Sequence, residues 1–385
     1  MYYQDFKGAK VSALGFGCMR LPVVDGAYDR VDMAAFDEMV DYAMEHGVNY
    51  FDTGYGYHDG MSEVAMGQSL ARYPRDSWMI ADKFPGYDTS KFAKIEETFE
   101  EQLKRCNVEY FDFYLLHNVC ELNIDHYLDE KNGLMDFLQK QMDEGRIRRL
   151  GFSTHASYDV MERFLKRYGD RMEFCQIQLN YADWTFQDAK AKVRLLARYG
   201  LPVWVMEPVR GGKLTKFLPV DAPKFEAARP GVTPVEWAFR FLQSVPEVAV
   251  VLSGMSDMRQ LRENIETFAE PEPLNDEEMK LIVSSGEKLL TAGAVPCTQC
   301  RYCTTYCPQE LDIPRLIELY NETRTTEDGG FIAQMALAAM DDDKLPSACV
   351  KCRSCESVCP QRIGIPDILE KLAQGAEQDI SLYRH

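Results

Sequence analysis

Eight short runs rich in Val, Ile, Leu, Phe and Tyr recur along the first two thirds of the chain, each followed by a stretch with apolar residues at helical spacing. They begin at Val11, Val48, Trp78, Tyr110, Ile147, Phe174, Leu201 and Val248. Eight strands alternating with helices predict an α/β fold, a closed (β/α)8 TIM barrel, with a doubly wound open sheet as the alternative. Helices are expected over Asp32 to His46, closed by Gly47, over Ser90 to Asn107 with a serine cap, and over Asp257 to Phe268. A last barrel helix starts at Asn275 or Asp276 and runs to about Leu290, on the outside. The barrel is expected over 1–290. The segment Thr291 to Pro296 reads as the boundary to a small, mainly α-helical unit over 291–385, with helical turns at Ile313 to Tyr320 and Ile365 to Ala373. Asp341, Asp342 and Asp343 read as a solvated turn.

That second unit carries two copies of one spacing, C-x2-C-x2-C-x3-C-P, from Cys297 to Pro308 and from Cys349 to Pro360. This is the run that holds [4Fe-4S] clusters in bacterial two-cluster ferredoxins. Three thiolates two residues apart wrap one cluster, and the fourth, past a longer step, reaches the neighbouring one. Crossed ligation assigns Cys297, Cys300, Cys303 and Cys359 to one cluster, and Cys349, Cys352, Cys355 and Cys307 to the other. Zinc is disfavoured, because paired C-x2-C units explain neither the third cysteine nor the C-P ending.

The other four cysteines, Cys18, Cys106, Cys120 and Cys175, lie in apolar surroundings with no pairing pattern, which favours a reducing compartment. The 385 residues are 46% hydrophobic and 27% charged, as expected of a globular protein with one large and one small domain. The chain opens without a basic and then apolar export signal, and no run approaches the roughly 18 apolar residues of a membrane span, so a cytoplasmic protein is expected. The net charge of -18 argues against nucleic acid or an anionic membrane as partner.

In such barrels the working residues stand at the C-terminal ends of strands. Those ends give Asp52, Lys83 and His117 after the second, third and fourth runs, with Tyr57 in the loop D-T-G-Y-G-Y. Singly, each has a plain reading as turn residue, surface charge, satisfied strand-end histidine or loop packing. Together they make a coherent acid catalyst. An ordinary phenol is a poor proton donor near neutrality, so Lys83 is expected to lower the pKa of Tyr57, with Asp52 holding Lys83 and His117 orienting a substrate oxygen.

In order and spacing these four residues resemble the catalytic tetrad of the aldo/keto reductase family. The resemblance runs from about Val11 to Asn264 and takes in G-F-G-C-M-R-L-P, G-F-S-T-H, Q-I-Q-L-N-Y and S-G-M-S-D-M-R-Q-L-R-E-N-I. It implies reduction of a small-molecule carbonyl by NAD(P)H lying across the barrel mouth. Carried over residue by residue, it implies Ser153 and Gln178 on the nicotinamide carboxamide, with Thr154 and Asn180 close by. It implies Met206 beneath the nicotinamide, Arg210, Gly211 and Gly212 at the pyrophosphate, and the loop from Ser253 and Gly254 to Asn264 at the adenosine.

Three departures bear on the cofactor. Met206 stands where relatives often place a stacking aromatic, Glu207 replaces a hydroxyl residue, and Gly254, Ser256 and Gln260 stand where cations often grip a 2′-phosphate. They lean toward NADH over NADPH, or toward weak nicotinamide binding. Hydride moves two electrons and a [4Fe-4S] centre one, so something must convert, such as a flavin bound here or on a partner, unless the clusters only stabilise the small unit. Three readings follow. One is an NAD(P)H-dependent iron-sulfur reductase. Another is a reductase fed by a ferredoxin or flavoprotein without nicotinamide. A third is a non-catalytic electron-transfer or redox-sensing subunit, which the intact tetrad disfavours.

Overall fold

In the computed structural model the described residues are all but 121–122, 187, 292–294, 326–332, 334–335, 338–339 and 384–385. An N-terminal hairpin, β1 (Tyr3–Phe6) and β2 (Ala9–Ser12), precedes eight parallel strands. These are β3 (Leu14–Gly17), β4 (Tyr50–Asp52), β5 (Met79–Phe84), β6 (Phe113–Val119), β7 (Leu150–Thr154), β8 (Phe174–Gln178), β9 (Val203–Met206) and β10 (Val248–Ser253). They close in sequence order, β10 pairing back onto β3, so the barrel expectation holds and the open sheet does not.

Strand alternation decides which side chains enter the barrel. Tyr50, Ala81, Phe113, Leu115, Phe174, Trp204, Val250 and Leu252 point inward and pack with Phe6 and Val11 of the hairpin, which plugs the lower end. Small residues make room for these rings: a Cβ at Gly151 would lie 2.5 Å from Phe174 and one at Gly15 2.6 Å from Leu252. Their neighbours Phe16, Phe51, Ile80, Tyr114, Leu116 and Phe152 point outward and bury against the helices. The same alternation, carried to the strand ends, turns Asp52, Lys83, His117, Ser153, Gln178 and Met206 into the mouth.

The helices largely follow the predicted signals. Met33–Glu45 is capped by Asp32, whose carboxylate accepts from Ala35 N, and the chain leaves it through Gly47 at φ 85°. Asp257 caps Met258–Thr267, and Asp276–Thr291 follows. The helix expected from Ser90 differs: Asp88 caps a short 3-10 turn over Thr89–Ala93, and the α-helix starts only at Ile95. Asp341 and its neighbours form the solvated turn anticipated. Residues 292–294 of the expected boundary lie outside the described residues.

The C-terminal unit has its own apolar core, built from Leu311, Ile313, Leu316, Ile317, Leu345, Ile363, Ile365 and Leu369 around the cysteines. Its two halves repeat in backbone detail. Gln299, Arg301 and Glu310 in the first copy, and Lys351, Arg353 and Arg362 at the matching places of the second, all have positive φ. Non-glycine residues enter this region at a cost of about 1 kcal/mol each or more, and keep it where the surroundings demand it. Each copy is then followed by a helix, Ile313–Thr325 and Ile365–Tyr383, both longer than expected.

Candidate active site and cysteine centres

Lys83 is the central charge of the barrel mouth. Its ammonium is fully buried and donates to Asp52 Oδ1 at 2.6 Å and to the carbonyl of Thr53. It lies 5.0 Å from the centre of the Tyr57 ring, and Tyr57 meets His117 edge-on at 5.8 Å. The four residues singled out in the sequence therefore share one pocket.

Their protonation departs from expectation in one respect. Burial pushes the Tyr57 phenol well above its ordinary 10, with the negative charge of Asp52 acting the same way. Lys83, paired with Asp52 at 2.6 Å, does not outweigh these two effects. The phenol stays protonated across the neutral range, as a proton donor requires. Burial and then Lys83 hold the His117 imidazole well below its ordinary 6.5, so it is neutral. Nδ1 of His117 and Oδ2 of Asp52 are buried without a protein partner among the described residues.

Behind Lys83 lies a group the sequence did not announce. Asp82, pointing out of the barrel, accepts from Lys83 N at 2.7 Å, and shares a buried pocket with Glu63 and Cys106. Burial, then the charge of Asp82, raises the Glu63 carboxyl to about 10, against the pull of Arg105 at 2.9 Å. Burial raises Asp82 to about 6. Glu63 therefore keeps its proton at neutral pH and braces the strand that carries Lys83. A folded-state value above the ordinary 4.5 means that Glu63's contribution to stability is full below 4.5 and is lost as pH rises through about 10. Glu63→Gln is expected to flatten the fall in melting temperature between about pH 7 and pH 9 by several degrees, read by scanning calorimetry.

The C-terminal unit sits on the barrel mouth. Gln361 Nε2 donates to Gln178 Oε1 at 2.7 Å, and Arg210 donates to Gln361 Oε1 at 3.1 Å. Arg20 donates to the carbonyl of Thr298 at 3.1 Å, and Tyr306 to the carbonyl of Tyr87 at 3.2 Å. Tyr302, inside the first cysteine run, packs on Tyr87 and edge-on to His155. Between the two units a cavity of about 770 Å³ is lined by Tyr87, Asn118, His155, Tyr302, Tyr306 and Cys359. Its wall residue Tyr87 meets the His117 ring at 5.2 Å.

The residues expected at the cofactor are present but engaged. Ser153 Oγ accepts from Asn118 N, and Thr154 donates to Val119 O. Asn180 and Gln178 both donate to Asp183, which also pairs with Arg210 at 3.2 Å, so Arg210 does not stand open as a phosphate clamp. Gly211, at φ 63°, lies so close under the Thr298 carbonyl that a Cβ there would overlap it; Gly212, at φ 92°, faces open space. Met206 is half-buried at the end of β9, and burial pushes the neighbouring Glu207 carboxyl up to about 7, with Arg20 opposing. Asn264 donates to Ser253 at 3.0 Å, and Gly254 packs near Arg20. Arg259 pairs with Glu263 and Arg262 covers Tyr42, so neither serves the adenosine loop's inner side.

The eight motif cysteines gather as two crossed sets. Cys297, Cys300, Cys303 and Cys359 line one small cavity, and Cys307, Cys349, Cys352 and Cys355 line another. Sequence reasoning missed His155, Tyr87, Tyr302, Thr298 and Gln361. His155 stands in the quoted G-F-S-T-H, and Tyr302 interrupts C-R-Y-C, but no spacing marks either as a mouth residue.

Comparison with known proteins agrees with this geometry. The Aldo/keto reductase family profile matches residues 13–287, and that of a 4Fe-4S dicluster domain matches 296–363. The chain is 27% identical over 288 residues to the L-galactose dehydrogenase of Arabidopsis thaliana, covering 69% of this chain and 87% of that one. Among solved structures it is similar to the holo form of an aldo-keto reductase from Bacillus halodurans, with a TM-score of 0.60, 26% identity, and coverage of 75% of this chain and 96% of the other. It also shares the fold of an aldo/keto reductase from Klebsiella pneumoniae solved with NADP and acetate, at a TM-score of 0.60, 21% identity, and coverage of 73% and 93%. The chain belongs to the aldo/keto reductase family of oxidoreductases and carries a 4Fe-4S dicluster domain at its C-terminal end.

Proposed function

We propose that the chain reduces the carbonyl, or a related unsaturated group, of a small molecule held between the barrel mouth and the C-terminal unit, with a division at 290/291. The observation that carries this reading is the buried Lys83–Asp52 pair beneath Tyr57 and His117. Reduction to the alcohol takes two electrons and two protons, delivered either as hydride plus one proton or as two one-electron steps from reduced clusters with the second proton from water. In both, Tyr57, its phenol protonated, would give the proton to the substrate oxygen. Neutral His117 donates a hydrogen bond to that oxygen and orients it, and the paired ammonium of Lys83 favours negative charge growing there. The cavity beside His117, at about 770 Å³, is of a size for a small-molecule substrate.

The thiol sets fit iron-sulfur groups in donor chemistry and in number. Cys297, Cys300, Cys303 and Cys359 would hold one [4Fe-4S] cluster and Cys307, Cys349, Cys352 and Cys355 the other. Such clusters supply one-electron chemistry. Anaerobic preparations are expected to hold about eight irons per chain. If ligation is crossed, Cys359→Ala combined with Cys300→Ala removes one cluster and leaves about four irons, whereas Cys359→Ala combined with Cys352→Ala removes both. The reverse pattern in an iron assay would establish uncrossed ligation.

A nicotinamide as hydride donor, NADH or NADPH, is supported by kinship with reductases, one of them solved with NADP. The residues at its place do not fit it in this arrangement, since Gln178, Arg210 and Gly211 are taken up by Gln361 and Thr298. The function is tested by following anaerobic loss of aldehydes, ketones and aldoses with chemically reduced protein and with each nicotinamide. Flavin released by acid is read in the same preparation. Failure to reduce any carbonyl under all these donors would sink the reading.

A further inference from the structure

We infer that the docked C-terminal unit substitutes for the dinucleotide: the cysteine-loop residues Thr298 and Gln361 occupy the place across the barrel mouth that a nicotinamide cofactor would need, and the loaded chain binds neither NADH nor NADPH. This rests on the carbonyl-reductase reading of the tetrad but not on its hydride source.

The substitution is chemical as well as steric. A side chain that grips a primary carboxamide offers a carbonyl and an amide to its partner. Gln178 has such a partner already, the carboxamide of Gln361, at 2.7 Å. The guanidinium of Arg210 is buried and bonds Asp183 and the same Gln361, so a glutamine of the chain uses both the amide-reading and the phosphate-reading groups. At Gly211, where close backbone approach would admit a pyrophosphate, the approaching backbone is the chain's own Thr298 carbonyl, held by Arg20. That carbonyl is an acceptor aimed at a site that ought to receive an anion. Glu207 adds a buried carboxyl in the same seam, close to the cysteine loop.

The contact is also a sealed one. Thr298 is 1% exposed, Gln361 5%, Gln178 4% and Arg210 2%, so a dinucleotide cannot enter without lifting the loop and breaking the Gln361 bonds. The sequence departures acquire one cause. Met206 in place of an aromatic, Glu207 in place of a hydroxyl residue, and no inward cation in the adenosine loop are what remains when nothing stacks, no pyrophosphate lies there and no 2′-phosphate needs a grip.

The test uses the full chain, purified without oxygen and shown by iron and sulfide assay to be loaded. Titration with NADH and with NADPH, followed by nicotinamide fluorescence, is expected to show no saturation up to about 1 mM. Deuterium uptake of peptides spanning 203–213 and 357–364 is expected to stay unchanged by either dinucleotide. Saturation below about 100 µM by either one would overturn the inference. Stripping the clusters with a chelator is expected to raise uptake in both peptides and to tighten dinucleotide binding at least tenfold. If the stripped chain keeps its barrel spectrum yet binds no better, the barrel's own residues exclude the dinucleotide and the substitution is refuted. Gln361→Ala in the loaded chain guards against collapse of the stripped form. Raised uptake at 203–213 supports the docking contact, and unchanged uptake there refutes it. None of these readouts depends on turnover, so a failure here is separable from a failure of the tetrad.

Discussion

Tyr57→Phe is expected to lower carbonyl turnover by about 10²- to 10⁴-fold while leaving iron content and melting temperature close to those of the parent. The size follows from the loss of one positioned proton donor. The specificity follows from where the ring lies: its packing against His117 and Lys83 is kept by phenylalanine, and only the hydroxyl goes. Because burial raises the phenol far above 10, the parent's turnover should hold level through neutral pH and decline only under strongly alkaline conditions. Full activity in Tyr57→Phe, measured on any carbonyl the parent reduces, would remove the phenol from the mechanism.

The second large effect concerns stability. Asp52→Ala leaves the Lys83 ammonium buried with the Thr53 carbonyl as its one hydrogen-bond partner among the described residues, after losing a carboxylate at 2.6 Å. Removing one member of a buried pair costs about 3–5 kcal/mol, because the remaining charge has lost its counter-charge and cannot reach water. For a barrel of this size that is a fall in melting temperature of roughly 5–8 °C. Turnover should fall as well, since Lys83 loses the carboxylate that fixes its place beneath Tyr57. Asp52→Asn, which keeps an acceptor, is expected to lose less stability, and Lys83→Met combined with Asp52→Ala should recover part of the loss. A single Asp52→Ala variant melting within about 2 °C of the parent would mean that Lys83 is not held as described.

The barrel was legible because its signals are local. All eight runs became strands, and the strand ends placed Asp52, Lys83 and His117 correctly, since a side-chain period of two needs only a few residues to be read. The cysteine copies were legible for the same reason, and their crossed grouping survives into the fold. What went astray was also physical. The depressed phenol expected of Tyr57 left out its burial and the charge of Asp52, which together raise it. The helix predicted from Ser90 starts five residues later because Asp88 captures the turn instead.

The opening alternation and the spacing of the cysteines thus pointed, by themselves, to a (β/α)8 barrel joined to a unit with two thiol sets, and the tetrad and its flanking motifs added the family resemblance. The tertiary structure alone decided that the second unit sits on the first. That decision lies in contacts such as Gln361 with Gln178 and Thr298 with Arg20, between residues far apart in the chain. A glutamine or a threonine in a cysteine loop carries no periodic signal, and its meaning appears only when folding brings a distant partner within hydrogen-bonding reach.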